Sequence, residues 1–125
     1  MNPELDISRP LFSQVKEAIE NDILAGRLNA DEQIPSNSQL VAFFGLNPVT
    51  VHKGVSQLTD EGIVYKKRGL GMFVEQNARA ILQARRQAAF SSEYIRPLVK
   101  QAQTLGMSAN EVCKLVKETW TEENK

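Results

Sequence analysis

The amino-acid sequence predicts a mainly α fold with one small β-hairpin, followed by a short helical segment. Three observations carry this. Apolar residues recur at spacings of three and four along most of the chain, as half-buried helices require. Proline, Asn-Pro and single glycines punctuate those runs where helices start and stop. Only between Ile63 and Val74 does the pattern change, to two short β-prone runs around a glycine-containing turn.

The first helix is predicted over residues 11 to 25: Pro10 suits a helix start, Phe12, Val15, Ile19 and Ile23 form one stripe, and Gly26 suits a left-handed stop. The following RLNADEQIPS is polar and turn-rich. Ser36 then opens a second helix of about two turns, with Leu40, Phe43 and Phe44, that must stop near Gly45. Asn47-Pro48 is the clearest local signal in the chain. Asn accepts from the free amides of a helix start, and Pro at the first helical position sacrifices no hydrogen bond. In the third helix Val51, Val55 and Leu58 share one face and leave Val49, Thr50, His52, Lys53, Ser56 and Gln57 largely outward, until Gly62. Ile63 to Lys66 and Met72 to Val74 form the hairpin, with Lys67-Arg68-Gly69-Leu70-Gly71 at its tip.

From Asn77 the period is helical again, and Pro97 inside the run predicts either one bent helix to about residue 105 or two helices meeting near Ser91-Ser92. Gly106 ends it, Ser108 to Glu111 has capping-box spacing ahead of a last helix, and residues Thr121 to Lys125 are expected to fray. The expected domains are residues 1–75 and 76–125.

Composition narrows the function. The chain has 125 residues, 42% hydrophobic and 24% charged, enough to bury a core. Its longest apolar stretch, Leu40 to Leu46, is far below the roughly 20 residues of a membrane helix. The N-terminus carries acids in place of a basic region and an apolar run, so a cytoplasmic protein without membrane contact is expected. One cysteine, Cys113, and one histidine, His52, give neither a disulfide nor a zinc site, and no metal or cofactor is expected. The same scarcity, with no glycine-rich phosphate loop, leaves an enzyme without a nucleophile and base.

The net charge of zero hides a balance of −3 in residues 1 to 75 and +3 in residues 76 to 125. A polyanion must therefore be met locally, and the only dense cluster is Lys66, Lys67 and Arg68, with His52 and Lys53 upstream. Three helices, the third with a polar and mildly basic outer face, then a hairpin with a basic tip, make a winged helix-turn-helix. In that arrangement the third helix enters the DNA major groove and the hairpin tip reaches phosphates or the minor groove.

The runs PLFSQVKEAIENDILAGRL (10–28), IPSNSQLVAFFGLNPVTVHKGVSQLTDEGIV (34–64) and KKRGLGMFV (66–74) together resemble the GntR family of bacterial transcription regulators. YIRPLVKQAQTLGMSANEV (94–112) resembles its YtrA-like subfamily, which pairs a winged helix with a short helical dimerisation segment. The resemblance implies phosphate contacts at Ser36, Asn47 and Thr50, contacts of His52 and Lys53 with base edges or phosphates, and Arg68-Gly69, beside Lys67, in the minor groove. It also implies a repressor acting on nearby operons. Two positions depart from the family pattern. Ser38 stands where an arginine is usual, and Val49 replaces a polar residue, which opens a contact with a thymine methyl.

About 45 residues of helix are too few to fold alone and must dock on the winged helix or on a second chain; of the two a homodimer is expected, packed through Ile81, Phe90, Tyr94, Leu98, Val112, Leu115 and Trp120. Two third helices related by a two-fold axis would then read an inverted repeat in double-stranded DNA. A small-molecule effector, if one exists, must use a small pocket or the dimer interface. The competing reading is a winged-helix protein-interaction module without specific DNA binding, favoured by the −3 balance and by Ser38.

Overall fold

The computed structural model describes residues 1–124, which divide into two compact units, Met1–Ala84 and a second from Arg85 onward. The first contains helices α1 (Leu11–Leu24), α2 (Asn37–Phe44) and α3 (Pro48–Asp60), strands β1 (Val64–Lys67) and β2 (Gly71–Val74), and the start of α4 (Ala78–Phe90). Three boundaries in this unit have a clear local cause. Asn47 caps α3 with Pro48 in its first turn, Ser36 caps α2, and Gly45 ends α2 in the left-handed conformation.

The core of this unit is one apolar cluster. Val15, Ile19 and Ile23 of α1 meet Val51, Val55 and Leu58 of α3, closed by Ile34, Leu40, Phe44, Ile63, Val64 and Val74. Burying each such side chain stabilises by about 1.5–3 kcal/mol before entropy is counted. Gly54, in the middle of α3, is buried at the crossing with α1. Two side-chain contacts flank that crossing: Lys16 donates to Glu61 at 2.7 Å, and the Lys53 ammonium lies 4.0 Å from the centroid of the Phe12 ring.

The hairpin is antiparallel, with Val64 opposite Val74, Tyr65 opposite Phe73, Lys66 opposite Met72 and Lys67 opposite Gly71. A third backbone segment lies along β2. Asp31 and Ile34 donate to Val74 and Met72 at 2.8 and 2.9 Å, Val74 donates to Glu32 at 2.9 Å, and Gln33 pairs with Phe73. The polar stretch after α1, expected to be turn alone, thus covers one edge of the hairpin. Asp31 makes the corner with φ +65°, and its carboxylate accepts from the Tyr65 hydroxyl at 2.7 Å and from the Gln76 amide.

The first unit runs past the expected boundary at residue 75. Ala78 and Leu82 of α4 are fully buried in its core, and the Arg79 guanidinium donates to the Ile23 carbonyl at 3.0 Å and to Asn29 Oδ1 at 2.6 Å. The boundary therefore falls after Ala84, and Ile81 belongs to the first unit, not the second.

In the second unit α4 is followed by a π-helical turn, Ser91–Ile95, then α5 (Arg96–Thr104) and α6 (Ala109–Glu123). The π turn answers the two alternatives left open by Pro97. Proline lacks an N–H and its ring crowds the carbonyl four residues back; the chain widens there, with the Arg96 N–H bonding Ser91, five residues back. Ser108 and Glu111 close a capping box on α6, with Ser108 Oγ accepting from Glu111 N–H at 3.1 Å. The last helix continues to Glu123, beyond the expected fraying at Thr121; the end of that expected segment, Lys125, lies outside the described residues. Among the described residues no helix is long and apolar enough to cross a membrane, and no cluster of His, Cys, Asp and Glu could hold a metal ion.

Candidate nucleic-acid interface

Two helix starts and one hairpin tip carry the residues singled out from sequence within the first unit. At the start of α2, Ser36 Oγ accepts from Gln39 N–H at 3.1 Å while Gln39 Oε1 accepts from Ser36 N–H at 2.8 Å. The box satisfies two backbone donors and leaves the Ser36 hydroxyl hydrogen to donate outward. Beyond it lie the first-turn amides of Asn37 and Ser38, at the positive end of the helix dipole. Ser38 itself is exposed, and its short hydroxyl presents no charge to a phosphate.

At the start of α3, Asn47 Oδ1 accepts from Thr50 N–H at 2.8 Å. Asn47, Val49, His52 and Lys53 are exposed and Thr50 is half-buried, so the outward face is the one that the spacing predicts. Val49 is 78% exposed, a large apolar side chain held in solvent at a helix start. His52 Nε2 lies 3.2 Å from Ser56 Oγ, one turn along. The Lys53 ammonium is seated on the Phe12 ring.

The hairpin tip is a tight turn. Leu70 N–H donates to the Lys67 carbonyl at 2.9 Å, and Gly69 at the third position has φ +79°, the signature of a type II turn, which needs glycine there. Arg68 occupies the exposed corner. Lys67 points back along the strand, its ammonium 4.3 Å from the Phe73 centroid and 5.8 Å from that of Tyr65, over a stacked ring pair. Lys66 faces the other way, into a groove of about 440 Å³ lined also by Ser36, His52, Ser56 and Thr59. Gln33 and Asn37 line the same groove, and sequence reasoning missed both. Asn37 follows a recognised cap and could have been found from it; Gln33 comes into place only through pairing with β2.

The Tyr65 hydroxyl has its pKa raised above the ordinary value near 10, first by its hydrogen bond to Asp31, then by partial burial and by the charges of Asp31 and Glu75. A raised folded-state value means the contact stabilises fully below pH 10 and is lost as pH climbs through the folded pKa. In a Tyr94→Phe variant, where Tyr65 is the remaining tyrosine, phenolate absorbance is expected to rise with a midpoint above 10; a midpoint at or below 10 would mean the Asp31 contact does not form.

Comparison with known proteins bears on this arrangement. Residues 11–74, from the start of α1 to the end of β2, match the family described as bacterial regulatory proteins, gntR family. The chain belongs to the GntR family. The family match covers the helix starts and hairpin tip described above, and the fold is its winged helix-turn-helix. The HTH-type transcriptional repressor YtrA of Bacillus subtilis is 26% identical over 111 residues, 89% of this chain and 85% of its own length. The histidine utilization repressor of Klebsiella aerogenes is 37% identical over 67 residues, and the chain spans only 28% of that relative's length. Among solved structures, a GntR family transcriptional regulator from Bacteroides thetaiotaomicron superposes with TM-score 0.72 at 28% identity over 90% of this chain and 98% of its own. AraR(DBD) in complex with operator ORX1 matches with TM-score 0.52 at 32% identity, over 59% of this chain and 89% of that one.

Proposed function

We propose that this protein is a cytoplasmic, non-enzymatic transcription repressor that binds an inverted-repeat operator in double-stranded DNA as a homodimer. One observation carries the reading. The starts of α2 and α3 present capped helix amides and short polar side chains, Arg68 stands exposed at the type II tip of the hairpin, and Ser36, His52, Ser56 and Lys66 line one groove, on a chain of the GntR family. A likeness to AraR(DBD) bound to an operator supports the partner.

In this reading α3 lies in the major groove. Asn47, Thr50 and Ser36 approach phosphates through the helix starts they cap, since capping and anion binding use the same amides. Val49 and His52 face base edges, with Val49 against a thymine methyl, and Lys53 reaches the phosphates beside them. Arg68 and Gly69 enter the minor groove, where Arg68 also meets the flanking phosphates, and Lys67 meets the backbone beside them. Without an arginine at Ser38, specificity rests on α3 and on DNA shape.

The dimer is supported by the second unit, where Phe90, Tyr94, Leu98, Leu115 and Trp120 are 40–70% exposed and Val112 is half-buried. Ile81, in the first unit, is 37% exposed and extends the same proposal. So much apolar surface on an isolated chain marks an interaction site.

The experiment is selection of bound fragments from random duplex DNA, with the mass in solution measured alongside. Enrichment of an inverted repeat by a species of twice the chain mass is the expected result. No enrichment from a folded dimer would instead make the chain a protein-interaction module.

A further inference from the structure

Gln33 holds the hairpin tip from outside the hairpin. Its neighbours are fixed by backbone bonds to β2, Val74 donating to Glu32 and Ile34 donating to Met72, both at 2.9 Å. From that fixed base the side chain reaches the turn, where Nε2 donates to the Leu70 carbonyl at 2.8 Å, across 37 positions of sequence. Leu70 N–H already donates to Lys67, so both backbone polar groups of Leu70 are tied, one to each side of the tip.

Gly71 makes room for this contact. A Cβ at that position would lie 2.5 Å from Gln33 Nε2, and the residue's φ of +119° is one that other residues rarely adopt. The side-chain amide therefore fills the space where a larger residue at 71 would stand. Three residues after Gln33, Ser36 caps α2, so one short segment connects the hairpin tip to the other phosphate-facing element.

We propose that Gln33 is a positioning residue that presets the hairpin tip, and with it Arg68, for DNA; this rests on the reading of that tip as a DNA contact. An exposed three-residue tip ordered only on binding would spend conformational entropy at that step. Tying Leu70 in the free protein moves that ordering into folding, and Arg68 meets the duplex already placed.

The test is Gln33→Met, which keeps the size of the side chain without its donor or any new charge, with Gln33→Asn, too short to reach, as a second variant. Affinity for a mixed-sequence DNA duplex at low salt is measured in the wild-type and Arg68→Ala backgrounds, with amide hydrogen exchange at Leu70 in the free protein. The expected result is about a tenfold loss in the wild-type background, the worth of one neutral hydrogen bond in each of two half-sites. Leu70 exchange should accelerate, and the loss should vanish once Arg68 is alanine, because a positioning residue acts only through the group it positions. An equal loss in both backgrounds, or unchanged exchange at Leu70, would mean that Gln33 touches DNA itself or acts through global stability, and overturns the proposal. A weakened Arg68→Ala beside an unaffected Gln33→Met overturns the positioning role alone; an Arg68→Ala protein that binds like the wild type overturns the reading of the tip as a DNA contact, and the positioning role with it.

Discussion

Raising monovalent salt from about 50 mM to about 200 mM is expected to weaken DNA binding about a thousandfold, with a log–log slope of about −5. The estimate counts Lys53, Lys67 and Arg68 in each of two protomers, or about six phosphates neutralised at about 0.9 counterion each. Nothing global assists them: residues 1 to 75 carry −3 and the whole chain is neutral, so the attraction is local and salt screens it efficiently. The slope also discriminates among the three cations. Lys53 sits over Phe12 and Lys67 over Phe73, while Arg68 stands clear at the turn. A slope of about −2 would mean that only the two Arg68 side chains reach phosphate and the lysines stay on their rings. A slope near zero would remove the polyanion from the proposed function. The measurement is a binding titration of the purified protein against the selected duplex at four or more salt concentrations.

The contrast between Arg68 and the two lysines marks where sequence reasoning reaches its limit. Capping is local: Ser36, Asn47-Pro48 and the Ser108 to Glu111 box each act within four residues, so the starts of α2, α3 and α6 were legible from side-chain chemistry alone. The outer face of α3 followed from its period, and the tip glycines from the turn they permit. The unread features join distant parts of the chain. Residues 31 to 34 are polar and irregular in sequence, and only β2 turns them into an edge. Gln33 gains its role from Leu70 and Gly71, and Lys53 loses part of its freedom to Phe12, 41 positions earlier. The boundary at residue 75 marked the end of the hairpin, but Ala78 and Leu82 continue the same core on a new helix, and the apolar spacing of α4 does not say which neighbours its first turns will find.

Gly54→Val is expected to cost about 3 kcal/mol of folding stability, more than a hundredfold in the folding equilibrium. Glycine inside a helix is unfavourable by about 1 kcal/mol relative to alanine, so α3 would gain from almost any replacement were it alone. It is not alone. A Cβ at residue 54 would lie 2.7 Å from the Phe12 carbonyl oxygen, closer than real Cβ contacts come, and 3.4 Å from Val15 Cβ. The obstacle is helix backbone, which cannot swing aside as a side chain does, so α3 must withdraw from α1. That withdrawal opens the packing of Val51, Val55 and Leu58 and stretches both flanking contacts, Lys53 on Phe12 and Lys16 with Glu61. For Gly54→Ala the helix gain offsets part of the overpacking, and the protein should fold with α3 displaced by a few tenths of an ångström. Denaturant unfolding with an unchanged slope and a lower midpoint in Gly54→Val checks the first expectation, and a midpoint equal to the wild type would show that the two helices do not approach so closely. Gly54→Ala then separates stability from recognition. If α3 reads DNA, a folded Gly54→Ala dimer should lose affinity for its selected duplex more than for mixed sequence, because displacement of the helix moves Val49 and His52 relative to base edges while leaving the hairpin tip on the backbone.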